Sequence, residues 1–113
     1  LHEMGYSLQA NQKTLEGTTR GNMGALRSAI SVYQSDHEGR APATLADLTE
    51  GGKYLSEIRK TKLADHPDSA AVKLGPRPDD AGGWLYDPAS QSPEGLRVNC
   101  THQNLKGRRW DDE

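Results

Sequence analysis

The feature that most constrains the fold is a series of apolar residues at helical spacing in the first third of the chain. They are spaced by three or four residues, or by a multiple of four, which places them on one face of an α-helix. A glycine and then a proline follow, which are typical of a left-handed C-cap and of a segment that cannot continue as a helix. The pattern predicts one helix from about residue 14 to residue 37. The apolar residues are Leu15, Met23, Leu26, Ile30 and Tyr33, and the terminating residues are Gly39 and Pro42.

The opposite face of the predicted helix carries small residues. Gly17, Gly21, Gly24 and Ser28 fall within about 60° of one another, and serines continue the line. Each glycine costs a helix about 1 kcal/mol relative to alanine. One interpretation is a surface that lets another backbone approach closely, as in a subunit-packing interface. The other is a solvent-facing surface that merely tolerates glycine.

The middle of the chain predicts a short helix and then a long loop. Thr44 is suited to an N-cap and Asp47 to the returning bond of a capping box, while Gly51 and Gly52 end the short helix. From 56 to 81 prolines interrupt every pattern, so we predict a connecting loop with a short strand or turn around 71–74.

The last third of the chain predicts strands. Residues 83–87 have strand composition, 95–100 alternate with period two as an antiparallel partner, and 106–110 are a candidate third strand. The predicted fold class is therefore α+β, with a long N-terminal helix packed on a small antiparallel β-sheet. We divide the chain into a poorly patterned segment or helix start, 1–13, and a globular domain, 14–113.

Three stretches resemble type IV pilin-like proteins, that is, pilins and type II secretion pseudopilins. Residues 20–33, followed by Asp36, Glu38, Gly39 and Pro42, resemble the end of the family's long N-terminal helix. Residues 42–55 resemble the segment that follows this helix, and 82–88 with 98–99 resemble the hairpin of its C-terminal sheet. The resemblance covers about residues 14–110.

The resemblance implies a structural role and a pilin-like fold. Family members are made as inner-membrane prepilins, cut by a prepilin peptidase, methylated at the new N-terminus and assembled into filaments through a hydrophobic N-terminal half-helix. The implied partners are other subunits and the inner-membrane assembly or secretion machinery, and the implied location is a periplasmic or cell-surface filament. The segment printed here lacks the half-helix and its processing site, which we expect to have been removed, leaving a soluble segment. The turn at 88–94 is also longer than a tight hairpin needs.

Composition narrows the function classes. The formal charge is −2 with mixed signs, and the two basic clusters, Lys53 to Lys62 and Lys106 to Arg109, are expected to be solvated surface, so we predict no nucleic-acid binding. No nucleophile motif or phosphate-binding loop is present, so we predict no enzyme activity. Only 33% of residues are hydrophobic and Phe is absent, so the core must be small and rely on a few aromatic rings.

Metal binding has weak support in the sequence. Cys100 and His102 are the only close pair of metal-capable side chains, and two ligands make no site. Asp79, Asp80 and Asp87 offer oxygen ligands for calcium near a glycine-rich turn, but they do not match the calcium motif of pseudopilins. We therefore expect ordinary loop acids, no metal site and no cofactor.

Two functions remain in competition. The first is a subunit of a pilus or pseudopilus filament, with Gly17, Gly21, Gly24 and Ser28 at a subunit contact. The second is a periplasmic or filament-tip binding or adhesion module that uses a pilin-like scaffold.

Overall fold

The first element of the fold is a long helix, α1, which runs from His2 to Asp36. The computed structural model describes the backbone of residues 2–113 and the side chains of residues 11–113. The helix thus begins before the predicted residue 14 and takes in most of the segment 1–13. Its predicted end is confirmed, because Gly39 has a φ of 85° and its N–H donates to the Gln34 carbonyl at 2.8 Å.

A short helix, α2, covers Ala46–Thr49 and continues into a 3-10 turn at Glu50–Gly52. The predicted cap is wrong by one residue: Leu45 is the N-cap, and no side chain caps the helix. The returning half of the capping box is present, since the Thr44 N–H donates to the Asp47 carboxylate at 3.4 Å. Leu45 and Leu48 are buried and fix this turn to the core.

Five strands form two small sheets. β1 (Thr61–Leu63) and β2 (His66–Ser69) form an antiparallel pair. β3 (Val72–Leu74) lies parallel to β4 (Trp84–Tyr86), which is antiparallel to β5 (Leu96–Val98). The fold is therefore α+β, with one long helix and two small sheets. The larger sheet is mixed, whereas a purely antiparallel sheet was predicted.

The pairing of β4 with β5 is confirmed, but two other strand predictions are wrong. The β1–β2 hairpin lies within the segment that was predicted to be a loop, because Pro67 argues against a strand. Both strands of a two-stranded sheet are edge strands, where proline is tolerated. The candidate strand 106–110 is a turn followed by a 3-10 helix, Trp110–Asp112. Asn104 explains the turn, because its Oδ1 accepts the N–H groups of Lys106 and Arg108.

The core lies between the inner face of α1 and the larger sheet. Its members come from the helix, from α2, from β1 and from β4 and β5 with the residues that follow them. The predicted helix face is confirmed, with Met23, Leu26 and Ile30 buried and Leu15 and Tyr33 partly buried. The buried apolar side chains are Met23, Leu26, Ala29, Ile30, Leu45, Leu48, Leu63, Trp84, Leu85, Tyr86, Leu96, Val98, Cys100 and Trp110.

Polar side chains of α1 also fix the helix to the rest of the domain. The buried Glu16 carboxylate accepts the Leu105 N–H at 3.0 and 3.1 Å. Thr19 is fully buried, and its hydroxyl donates to the Lys62 carbonyl and accepts the Lys62 N–H. Arg27 donates twice to the Leu96 carbonyl, at 2.8 and 3.0 Å. Buried polar groups with such partners fix the orientation of the helix on the sheet.

Tyr86 provides a pH-dependent test of this packing. Its hydroxyl is buried and donates to the Pro42 carbonyl at 2.6 Å, and burial raises the pKa of Tyr86 to about 12. Because the folded-state pKa is above the unfolded value, the stabilisation is complete below about pH 10 and is lost as the pH rises towards 12. We expect Tyr86→Phe to cost about 1–2 kcal/mol in urea unfolding at pH 7, and less at pH 11. A difference that stays constant between the two pH values would contradict this interpretation.

Candidate functional site

The first candidate site is the outer face of α1, where the sequence placed a subunit contact. Gly17, Gly21, Gly24 and Ser28 are all exposed. A Cβ built on any of the three glycines meets no atom within 4 Å beyond its chain neighbours and the adjacent turns of helix backbone. These glycines are therefore not required by packing inside the domain, and the face that they form is open to another chain. The subunit contact itself stays a prediction.

This outer face also lacks charge. In the described part of the helix between residues 17 and 35, none of the exposed side chains is charged, although 27% of the whole chain is. Val32, on the same line, is 54% exposed. A solvated helix face normally carries charged residues, so this face, which we call the small-residue face, is unusual for a surface in contact with water only. Its exposed residues are Gly17, Thr18, Gly21, Gly24, Ala25, Ser28, Ser31, Val32 and Ser35.

The second candidate site is a cluster of four side chains at the end of the larger sheet. His66, Asp80, Cys100 and His102 each offer one ligand atom, and these atoms all lie within 4.8 Å of one another. Asp80 Oδ1 lies 3.2 Å from His66 Nε2 and 3.4 Å from His102 Nδ1. Cys100 Sγ lies 3.4 Å from His102 Nδ1. We call these four residues the His-Asp-Cys cluster.

Hydrogen bonds made by residues outside the cluster hold the backbone around it. The Asp79 N–H donates to Asn99 Oδ1, and Asn99 Nδ2 donates to Asp79 Oδ1 at 2.7 Å. The Gly82 N–H donates to the Asn99 carbonyl at 2.9 Å, which continues the β4–β5 pairing beyond the strands. The loop before β4 and the segment after β5 are therefore joined directly beside the cluster.

Two local features place His66 and Asp80. Asp80 has a φ of 60°, a left-handed conformation that aspartate tolerates better than most residues, and its Oδ1 accepts the Thr101 N–H at 2.9 Å. Gly82 leaves room for His66: a Cβ there would lie 3.0 Å from the Cβ of His66, and its φ of 82° also favours glycine. The cluster thus depends on the backbone conformations of Asp80 and Gly82 as well as on the chemistry of its four side chains.

Burial and charge differ across the cluster. Cys100 is fully buried, and burial raises the pKa of its thiol to about 11. The Thr101 N–H lowers the pKa of Asp80, with the two histidines adding to the shift. His66 has an 11% exposed side chain, whereas Asp80 and His102 are 34% and 46% exposed. One side of the cluster is therefore buried in the domain and the other is open to solvent.

The structure brings together some of the predicted ligands and separates others. Cys100 and His102 are joined by His66 and Asp80, which lie far apart in sequence and share no ligand spacing that could have identified them. Within the described residues the three candidate calcium ligands form no metal-capable group of their own: Asp80 belongs to the His-Asp-Cys cluster, and the other two carboxylates do not. Asp79 binds Asn99, and the carboxylate of Asp87 caps the 3-10 turn Pro88–Ser90 by accepting the Ala89 N–H.

Comparison with protein-family models, with curated proteins and with solved structures found no match. Within the part of the chain that the structure describes, no helix combines the length and the apolar content needed to cross a bilayer.

Proposed function

We propose that this domain belongs to a structural subunit of a type IV pilus or of a type II secretion pseudopilus. Its partners are further subunits and the inner-membrane machinery that assembles them. The observation that carries the proposal is the small-residue face of α1, which lies opposite the buried face of the same helix.

The dimensions of the helix support this role. A helix of 35 residues spans about 52 Å, close to the 55 Å length of the whole domain. One side of this rod is fixed to the domain by the core and by Glu16, Thr19 and Arg27. The other side is exposed along residues 17–35, so it can contact neighbouring subunits without disturbing the packing of its own domain.

The chemistry of the small-residue face favours helix packing over ligand binding. Glycine and serine allow two helix backbones to approach closely, as small residues do at helix–helix interfaces. The absence of charge on this face lowers the desolvation cost of burying it. It offers no set of converging polar groups of the kind that positions a small ligand.

The coding sequence upstream of Leu1 provides the first test of this proposal. We expect an apolar stretch of about 20 residues, preceded by a short basic leader that ends in glycine. Co-expression of the full-length protein with a prepilin peptidase should then yield a shortened product with a methylated N-terminus, detectable by mass spectrometry. A conventional signal peptide, or none, would contradict the filament proposal and favour a binding module on a pilin-like scaffold.

A further inference from the structure

We propose that the His-Asp-Cys cluster binds one zinc ion, with His66, Asp80, Cys100 and His102 as its four ligands. This site is independent of the small-residue face of α1. It would add a structural metal centre to a domain whose hydrophobic core is small.

The distances within the cluster fit zinc. Zinc bonds of about 2.0–2.1 Å to nitrogen and about 2.3 Å to sulfur, arranged tetrahedrally, place neighbouring ligand atoms about 3.3–3.6 Å apart. Asp80 Oδ1 lies 3.2 Å from His66 Nε2 and 3.4 Å from His102 Nδ1, and Cys100 Sγ lies 3.4 Å from His102 Nδ1. No pair of ligand atoms is separated by more than 4.8 Å. Shortening the longest of these separations by about 1 Å, mostly by movement of His102, whose side chain is 46% exposed, would complete the coordination shell.

The donor types select the metal. Imidazole nitrogen and thiolate sulfur are ligands of zinc and other transition metals, whereas calcium and magnesium prefer shells made of oxygen. Four protein ligands without an open position are typical of a structural zinc site. Zinc binding replaces the proton of the Cys100 thiol, which is released to solvent.

The surroundings of the cluster support a ligand site. Asp80 is held in a left-handed conformation, and its Oδ1, the atom nearest to both histidines, is also fixed by the Thr101 N–H. Partners of this kind orient the ligands of metal sites. The reciprocal bonds between Asp79 and Asn99 join the two backbone segments that carry Asp80, Cys100 and His102.

A bound zinc ion would link three segments that have little regular structure. His66 begins β2, Asp80 lies in the loop before β4, and the other two ligands follow β5. Because the four ligands, spread from residue 66 to residue 102, come together only in the folded domain, zinc binds the folded state in preference to the unfolded chain and so stabilises the fold.

The test uses the purified 113-residue chain after treatment with a chelator. Isothermal titration with zinc should give one equivalent, and the thermal unfolding midpoint should rise with zinc concentration. Cobalt should produce the thiolate-to-metal charge-transfer band and the strong visible bands of a tetrahedral site. His102→Gln, which changes a half-exposed ligand, should weaken zinc binding by at least about 100-fold, more than the loss of an outer-shell partner does. Cys100→Ser should abolish the charge-transfer band.

A matched control is His37→Gln. His37 stacks on Tyr33 at 3.8 Å between ring centroids and takes no part in the cluster, so this variant should keep one equivalent of zinc. The proposal is overturned if the wild-type chain binds no zinc, or if His102→Gln and Cys100→Ser bind it as the wild type does. Neither outcome bears on filament assembly, so the two proposals fail separately.

Discussion

Replacing Trp84 with alanine is expected to reduce the free energy of unfolding by about 3–5 kcal/mol, the range found when a buried aromatic side chain is removed. Trp84 is fully buried in the central strand of the larger sheet, and its Nε1–H donates to the Arg59 carbonyl at 2.8 Å. With 33% hydrophobic residues and no Phe, the chain has few other large side chains to fill the cavity. Since domains of this size are stable by only about 5–15 kcal/mol, the variant should be close to unfolding.

Urea unfolding, followed by the circular dichroism of α1, measures this effect without relying on tryptophan fluorescence. Leu74→Ala is the matched control, because Leu74 is 51% exposed on the neighbouring strand and should cost less than about 0.5 kcal/mol. Trp84→Phe keeps one aromatic ring in the core but loses the indole hydrogen bond and part of the buried volume, so an intermediate cost is expected. An alanine variant as stable as the Leu74→Ala control would show that the core is not organised around Trp84.

The second large effect concerns assembly. Changing both Gly21 and Gly24 to leucine is expected to abolish filament formation by the full-length protein, because the added side chains would hold neighbouring backbones apart. The isolated domain should stay folded. Beyond the chain neighbours and the adjacent turns of helix backbone, no atom lies within 4 Å of either Cβ position, and leucine favours a helix over glycine by nearly 1 kcal/mol per site. Electron microscopy of the filaments and thermal unfolding of the domain measure the two results independently.

Alanine at the same two positions is the control. Gly21→Ala with Gly24→Ala raises helix propensity as leucine does but adds only a methyl group, so we expect filaments to form. Loss of filaments in both double variants would point to a need for glycine flexibility instead of close packing. Normal filaments from the leucine variant would refute the proposed role of the small-residue face.

Much of the fold could be predicted from the sequence because its signals are local. The apolar spacing of α1, the cap at Gly39 and the alternation of β5 each act within a few residues, and the structure confirms all three. The β1–β2 hairpin could not be predicted because its strands are short and one contains Pro67. The parallel pairing of β3 with β4 also escaped prediction, since it depends on contacts made across a loop.

The two candidate sites also differ in whether their signals are local in the sequence. The glycines and serines of the small-residue face follow from helical periodicity alone, so the sequence was sufficient to locate them, whereas Thr18, Ala25 and Val32 were added by the structure. The His-Asp-Cys cluster depends on three chain segments that meet only in the folded domain. In the sequence Cys100 and His102 were an isolated pair, and nothing connected them to His66 or Asp80. The left-handed backbone at Asp80 and the bonds of Asn99 bring these segments together, and neither has a recognisable sequence pattern.

The most direct test of the central claim is photo-crosslinking from position 24 in cells that assemble the full-length protein. A photoreactive amino acid at Gly24 lies in the middle of the small-residue face, where the Cβ meets no atom within 4 Å beyond its chain neighbours and the adjacent turns of helix backbone. We predict a ladder of covalent dimers and higher oligomers that disappears in cells lacking the assembly machinery. If position 24 gave no crosslink between subunits in cells with intact assembly, the helix face would not be a subunit contact.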